Sequence, residues 1–350
     1  MLKKVRNFIL YFIPQWFVLW FLKTFASQKI FYIDALKAAR NIHERTGITE
    51  KILMKDMICC YIKYGASVED YRSFHFYKLN DFGRREFLCK NPYLSLRKRI
   101  NPFGTEWDIL FSKRKTNKLF PEFLGRCYID CGEVSEEQIL AFLKEYGKVI
   151  VKPDGEYAGK GVYVTSITEL TDPLGFCHEV CKQRMILEEL VVQHPDTAQV
   201  NPDSLNTIRI NTVIDNSGKI QVFASSFRMG VGNVQVDNLH HGGIAALVDL
   251  ETGKICSPAY GEEAVPYRKH PYTGVFLPGL QLPFWEDAKQ MALRAAERIP
   301  KMRLVGWDIA ITAHGPILIE GNPNPGLASI QMPIQTGIHK KFFNVFNGKS

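Results

Sequence analysis

Four groups of residues in this sequence have types and spacings suited to chemistry. The first is Lys152 followed by Asp154-Gly155-Glu156-Tyr157-Ala158-Gly159-Lys160-Gly161. Glycines let backbone N–H groups close over an anion, and flanking lysines add positive charge. The spacing fits neither the GxxxxGK[ST] phosphate loop nor the GxGxxG dinucleotide fingerprint. Short apolar runs at 149–151 and 162–164 predict a strand–loop–strand flap over phosphates, with a plain hairpin turn as the competing reading. The second group is Asp308, within Val-Gly-Trp-Asp-Ile-Ala-Ile, together with Glu320 and Asn322 of Ile-Leu-Ile-Glu-Gly-Asn. Alternation along two neighbouring strands aims Asp308 and Glu320 from one face. Two carboxylates and an amide oxygen are hard ligands that suit Mg²⁺. An acidic strand end beside an Asn/Pro turn is the plainer alternative. A carboxylate inside an apolar strand is costly without a partner, however, and that favours the metal.

The third group is cationic: Arg209 in Asn206-Thr-Ile-Arg-Ile and Arg228 in Ser-Ser-Phe-Arg. An inward arginine on a strand needs an anion. Phosphate or carboxylate matches its planar fork. An internal ion pair with Asp308 or Glu320 would satisfy it equally. The fourth group is Asp237-Asn238-Leu239-His240-His241-Gly242-Gly243. Adjacent histidines on an extended segment face opposite ways, so joint chelation is disfavoured. Glycines beside a strand mark close approach of a ligand, which makes this a substrate-facing loop.

These groups need elements to position them. Residues 30–75 read as helical. Ile30, Ile33, Leu36 and Ala39 form one apolar face and Ile52, Met54, Met57, Ile58, Tyr61 and Ile62 another, with Gly47 between two helices. Residues 65–105 are aromatic and basic and give no clear order. From about 148 strands dominate: 149–151, 162–164, 185–187, 207–214, 219–228, 243–250, 304–312 and 316–320. Asp215-Asn-Ser-Gly218 is a hairpin turn. A helix is expected over 284–299, with Trp285, Ala288, Ala292 and Ala295 inward and Pro300 as its stop. Helices in front of a mostly antiparallel sheet make an α+β protein. Expected domains are a hydrophobic, basic segment at 1–29, a helical front at 30–110, and two α+β parts at 111–200 and 201–340.

Composition narrows the class. The 350 residues are 46% hydrophobic and 23% charged, which excludes a disordered, collagenous or repeat-built chain. Residues 1–120 hold 23 Lys/Arg against 10 Asp/Glu, and the remainder 21 against 26. A basic front faces an anionic partner or is simply a solvated face. No nucleic-acid-binding module is recognisable, so nucleic acid is not an expected partner. Eight scattered cysteines are no disulfide framework. The pairs Cys127/Cys131 and Cys177/Cys181 have the spacing of one helix face, and buried free thiols are favoured over structural zinc. Residues 8–22 are apolar and aromatic but broken by Pro14 and Gln15, too short and interrupted to span a membrane. Lys3, Asn7, Tyr11 and Gln15 make a polar stripe between basic ends. This predicts a helix lying in a membrane interface, or one docked on the protein's own core. The expected location is cytoplasmic, at the inner face of the cell membrane in the first case.

In this order, the pieces resemble the ATP-grasp superfamily over about residues 115–335. The residues that carry the resemblance are Lys152-Pro-Asp-Gly with its flap, the strand ending Glu188-Glu189-Leu190, Arg209, Arg228, Asn238 before Gly242-Gly243, and Asp308 with Glu320-x-Asn322-x-x-Pro-Gly. Glu-Glu-Leu-Val-Val-Gln-His followed by Ser-Leu-Asn-Thr-Ile-Arg looks more narrowly like the sugar-transfer-associated ATP-grasp family. Its members are linked to bacterial cell-surface polysaccharide synthesis. The resemblance implies two α+β subdomains clasping ATP, behind a helical N-terminal region. Lys152 and the flap residues Gly155, Gly159, Lys160 and Gly161 would hold ATP phosphates, and a lysine of Ser112-Lys-Arg-Lys-Thr-Asn-Lys118, with Lys118 as the choice, would be the earlier ATP-contacting lysine. Glu188, Glu189 and Leu190 would form the adenine hinge, and the ribose-binding acid stays open between Gln193 and Asp196. Asp308, Glu320 and Asn322 would hold Mg²⁺, or Mn²⁺ in its place, as two ions. Arg209 and Arg228 would steady the transferring phosphoryl group, and His240 or His241 would take a proton. Asn206, Asp237, Asn238, Gly242 and Gly243 would line the substrate.

The implied activity is carboxylate–amine ligation through an acyl phosphate, on a small acid and an amine or sugar-linked acceptor. A kinase acting on a hydroxyl and a non-catalytic nucleotide-binding protein at the membrane are the alternatives. Removing residues 1–25 is expected to abolish co-sedimentation with anionic liposomes while activity in solution survives. Equal binding by truncated and full-length protein contradicts the interface helix.

Overall fold

The computed structural model describes residues 26–156, 160–232, 242–261 and 264–347. The hydrophobic N-terminal stretch, Gly159 and the Asp237–His241 part of the fourth group lie outside those residues. The chain divides into two compact units, residues 26–94 with Gln335–His339, and Ser95–Ile334 with the residues from Lys340 on.

The first unit is helical: α1 (Ala26–Thr46), α2 (Glu50–Tyr64), α3 (Val68–Ser73) and α4 (Asp81–Arg85). Gly47 and Gly65 end the first two helices in left-handed backbone, as C-terminal glycines do. The buried face of α2 is Leu53, Met54, Met57, Ile58 and Cys60. Ile52 and Tyr61 were expected inside but are 60% and 47% exposed. The helix turns about 100° per residue, so the Leu53–Met57–Cys60 row takes the core and leaves its neighbours outside. Ile33 likewise lies outside, while Ala35, Ala38, Ala39 and Ile42 are buried. The Asp56 carboxylate fastens this unit. It accepts from the Tyr71 hydroxyl at 2.7 Å and from both terminal nitrogens of Arg84 at 2.9 and 2.6 Å.

Helix α5 (Lys90–Ile100) runs across the division in the chain. The second unit continues with α6 (Thr105–Phe111), α7 (Lys113–Leu119) and α8 (Pro121–Leu124). Trp107, Leu110, Phe120 and Phe123 belong to the core of the second unit. A four-stranded antiparallel sheet follows, built from β1 (Tyr128–Asp130), β2 (Lys148–Lys152), β3 (Tyr163–Ser166) and β4 (Ile186–Glu189) in the order β1-β4-β2-β3. Helices α9 (Glu136–Tyr146) and α10 (Pro173–Lys182) cover one face through Ile139, Leu143, Cys177 and Val180. All eight cysteines are free, and Cys131 and Cys177 are buried in this core. Cys127 and Cys131 flank a strand rather than sharing a helix face. Among the described residues no group of three or more His, Cys, Asp or Glu side chains gathers in a way that could hold a metal ion.

The larger sheet has seven strands in the order β11-β10-β5-β6-β7-β8-β9. They are β5 (Thr207–Ile214), β6 (Ile220–Met229), β7 (Ile244–Leu247), β8 (Ala259–Tyr260), β9 (Pro266–Tyr267), β10 (Leu304–Thr312) and β11 (Gly315–Asn322). Short α11 (Pro195–Ala198) precedes the sheet, and α12 (Trp285–Glu297) lies between β9 and β10. Alternation gives this sheet two characters. Ile208, Ile210, Phe227, Trp307, Ile309 and Leu318 share one core with Trp285, Ala288, Ala292 and Ala295 of α12. The residues between them point to the opposite face, and those are the charged ones.

Gly125 joins α8 to the small sheet at φ +54°, and a Cβ there would stand 2.3 Å from Ile317 Cγ2. Gly125→Ala is expected to cost about 2–3 kcal/mol from backbone strain and overpacking together. A urea-unfolding midpoint unchanged from wild type contradicts this.

Candidate active site

Strand register assembles the acidic group. Across β11, β10, β5 and β6, Glu320 pairs with Asp308, Asp308 with Arg209, and Arg209 with Ser226. Directly paired residues project from the same face, so these four stand in one row. The next row is Asn322, Gly306, Asn211 and Ala224. A bulge leaves Ile319 unpaired between Leu318 and Glu320, re-aiming the strand end where the carboxylate sits. Arg228 lies on the same face, two residues along β6 from Ser226.

The two arginines meet Asp308. Arg209 donates through Nε to Oδ1 at 2.6 Å and through Nη2 to Oδ2, and Arg228 Nη1 donates to Oδ2 at 2.8 Å. The internal ion pair is therefore formed, and Asp308 is 3% exposed. Burial pushes the Asp308 carboxyl up, but Arg209 and Arg228 outweigh it and hold the pKa down at about 2. Glu320 keeps part of its surface open to solvent. Protein crowding around its carboxyl, then the Asp308 charge, push its pKa up. Two facing carboxylates with the outer one short of positive charge suit a hard cation beside Glu320. Asn322 sits one row along, and its Oδ1 accepts the Asn324 N–H at 2.8 Å.

A second charged cluster forms at the end of the small sheet. Glu188, 2% exposed, accepts on Oε2 from Arg126 Nε and from Lys152 Nζ, both at 2.7 Å. Asn117 Nδ2 approaches Oε1 at 3.4 Å. Burial raises the Glu188 pKa, but the two cations reverse this and hold it well below the usual carboxylate range. Arg126 Nη1 also donates to Leu318 O at 2.7 Å, two residues before Glu320 on β11. One guanidinium thus ties the small sheet to the large one. Glu188 begins the expected nucleotide hinge, and its carboxylate faces inward to these cations because it pairs with Ile150, two residues from Lys152 on the same face. Glu189 closes the sheet edge, accepting the Cys127 N–H at 3.1 Å, and Leu190 follows the strand half-buried.

The flap leaves the small sheet between β2 and β3, with Val151 paired to Tyr163. Gly155 and Gly161 take φ of +75° and +71°, as its turns require. Asp154 pins its base to α7, accepting from the Ser112 hydroxyl at 2.9 Å and from the Arg114 N–H at 3.3 Å. Lys160 is exposed and pairs loosely with Glu156 at 3.6 Å. The lysine of α7 near the site is Lys113. It donates to Glu156 O at 2.7 Å, and it lies in the field of Glu320, Lys152, Asp154 and Glu188. Burial lowers its pKa, and Glu320 opposes that. Lys118 instead points outward to Glu133 at 2.6 Å, because five residues along α7 turn it to another face.

Other expected residues have structural partners. Asn206 is buried and donates to Gln193 Oε1, Thr197 O and Asn201 O. Gln193 donates to Asn201 O and Ser204 O. Both hold the turn before β5, while Asp196 is exposed. Gly242 is exposed at φ +87°, and Gly243 is buried before β7. Arg126 and Asn117 escape a reading of the sequence, and within Ser-Lys-Arg-Lys-Thr-Asn-Lys that reading selects Lys118 over Lys113. The Gly-Arg-Cys turn and the Ser-Lys-Arg-Lys run carry no recognisable spacing, and only the crossing of α7 and α8 with both sheets brings them here.

A family model for sugar-transfer associated ATP-grasp proteins matches residues 98–347. The chain belongs to that family. Its fold is the ATP-grasp fold, two α+β subdomains with a helical region before them. Among curated proteins none matches. Solved structures with a similar fold include the ATP-grasp ligase PsnB complexed with a variant of its minimal precursor, Mg and ADP. It is 12% identical over 68% of this chain and 58% of that one, with a TM-score of 0.42. D-alanyl-alanine synthetase A from Vibrio cholerae O1 biovar eltor is 13% identical over 69% and 65%, with a TM-score of 0.41. The ADP complex of N5-carboxyaminoimidazole ribonucleotide synthetase is 15% identical over 63% and 46%, with a TM-score of 0.40. This chain spans less than two thirds of each of those chains.

Glu188→Gln is expected to cost about 3 kcal/mol at neutral pH, since it leaves two buried cations short of an anion. The depressed pKa means the charge stabilises above the ordinary glutamate value of 4.5, and that stability is lost as pH falls below it. The gap between variant and wild type should therefore narrow in acid. A gap independent of pH in denaturant unfolding contradicts the pairing.

Proposed function

We propose that this protein is an ATP- and Mg²⁺-dependent carboxylate–amine ligase serving bacterial cell-surface polysaccharide synthesis or modification. The row Glu320–Asp308–Arg209, with Arg228 beside it, carries this reading. It offers hard oxygen ligands and cations on one sheet face and no activated nucleophile. That inventory suits phosphoryl transfer, where positioning and charge neutralisation do most of the catalysis.

Asp308, Glu320 and Asn322 are the residues that would hold Mg²⁺, and the bound ion would neutralise charge on the phosphates. Lys152 and Lys113 stand where the flap meets α7 and would contact the phosphates from the other side. The acid's carboxylate oxygen attacks the γ-phosphorus, and the bond to the β–γ bridging oxygen breaks to release ADP. The acyl phosphate then takes an amine at its carbonyl carbon. Phosphate leaves with the C–O bond electrons, and the amine gives up a proton. Arg209 and Arg228, already aligned by Asp308, face the developing negative charge without reorganising. His240 or His241 would receive the proton, and Asp237, Asn238, Gly242 and Gly243 would line the acceptor. The hinge would bind adenine through backbone groups of Glu189 and Leu190. The basic front supports work at the inner face of the cell membrane, on a sugar-linked acceptor.

The test is hydroxamate formation from ATP, Mg²⁺, hydroxylamine and pooled amino acids, uronic acids and small carboxylic acids. Hydroxylamine replaces the amine and traps the acyl phosphate. Signal is expected with wild type and a loss of at least a hundredfold in Glu320→Ala and Asn322→Ala that fold normally. Full signal in both variants contradicts the metal residues. Phosphate transferred to a hydroxyl compound, with no hydroxamate, makes the protein a kinase.

A further inference from the structure

Arg126 has no part in the chemistry described above, yet it is placed where the two halves of the site meet. Its side chain is 3% exposed. Nε bonds Glu188 Oε2 at 2.7 Å, and that same oxygen holds Lys152 Nζ at 2.7 Å. Nη1 bonds Leu318 O at 2.7 Å and Leu124 O at 3.1 Å. Leu318 precedes the bulge that aims Glu320. The chain of contacts therefore runs from β11, through Arg126 and Glu188, to the lysine at the root of the flap.

We propose that Arg126 is a positioning residue that fixes Lys152, through Glu188, at a set place relative to the strand carrying Glu320. The proposal rests on the ligase reading, in which Lys152 meets ATP phosphates and Glu320 meets the cation bound to them. The two groups come from different sheets, so their separation depends on what joins those sheets. A phosphate chain bridging them tolerates little error, since misplacement of about 1 Å costs on the order of a hundredfold in rate. A guanidinium suits this place because its planar fork bonds two acceptors in fixed directions. A lysine ammonium is a compact point charge without that geometry. Lys152 without Arg126 would keep its charge but lose its fixed anchor, because Glu188 would no longer be held to β11.

The test compares wild type with Arg126→Lys and Lys152→Met, reading Mg·ATP affinity by titration calorimetry and turnover by hydroxamate release. Arg126→Lys keeps the charge count. It is expected to fold, to weaken ATP binding at least fivefold, and to lower kcat at least tenfold at saturating ATP. Adding it to Lys152→Met should bring little further loss of affinity, since both act through the same ammonium. Should Arg126→Lys fail to fold, the Arg126→Met/Glu188→Met pair takes its place, because it removes both buried charges. That pair should fold and show the same losses in affinity and kcat. Wild-type ATP affinity and kcat in the folded variant overturn the proposal, as do additive losses with Lys152→Met. A wild-type chain that binds no ATP at all overturns the ligase reading beneath it, a result distinct from either.

Discussion

Glu188 holds a negative charge where almost no water reaches it, and Arg126 and Lys152 keep it there. A carboxylate moved out of water gives up several kcal/mol of solvation, so it stays ionised only beside cations. The cost is met by two short charge-assisted bonds to one oxygen. The geometry does more than hold a charge. Arg126 spends its remaining reach on backbone carbonyls, one of them on β11. The small sheet, the flap root and the strand carrying Glu320 are thereby fixed to one guanidinium. An apolar replacement would pack as well, but it would not specify direction.

The large sheet solves the same problem differently. Period-two alternation sends Ile208, Ile210, Trp307 and Ile309 into α12 and leaves Arg209 and Asp308 on the far side. Because β5 and β10 are antiparallel and in register, Arg209 faces Asp308 across that pair, whereas Glu320 of β11 faces Asp308 with like charge. Asp308 serves two arginines, and Glu320 next to it is left with less positive charge than it needs. A cation beside Glu320 would correct that imbalance, as the proposed metal role requires.

Much of this arrangement was legible from residue order. Strand β5 covers the expected 207–214, and α12 covers most of 284–299, because apolar period and turn residues there agree with the tertiary fold. Asp308, Glu320, Arg209 and Arg228 stood out because charged residues in apolar strands are rare without purpose. The helical front was legible in type but not in orientation. Ile52, Leu53 and Met54 are consecutive apolar residues of α2, so burial of Leu53 over Ile52 depends on its neighbours. The choice among the lysines of Ser-Lys-Arg-Lys-Thr-Asn-Lys depended on where α7 starts. Ser112 caps it and docks on Asp154, which turns Lys113 inward and Lys118 to Glu133. Arg126 was invisible because its partners lie 62 and 192 residues away.

The central claim is that one nucleotide bridges both sheets of the second unit. Hydrogen–deuterium exchange with and without Mg·ATP tests it on the full chain. Slower exchange is expected at the flap and β4, 148–166 and 186–190, together with the β10–β11 hairpin, 304–322. Protection confined to one sheet, or none in either while ATP is bound, contradicts the account.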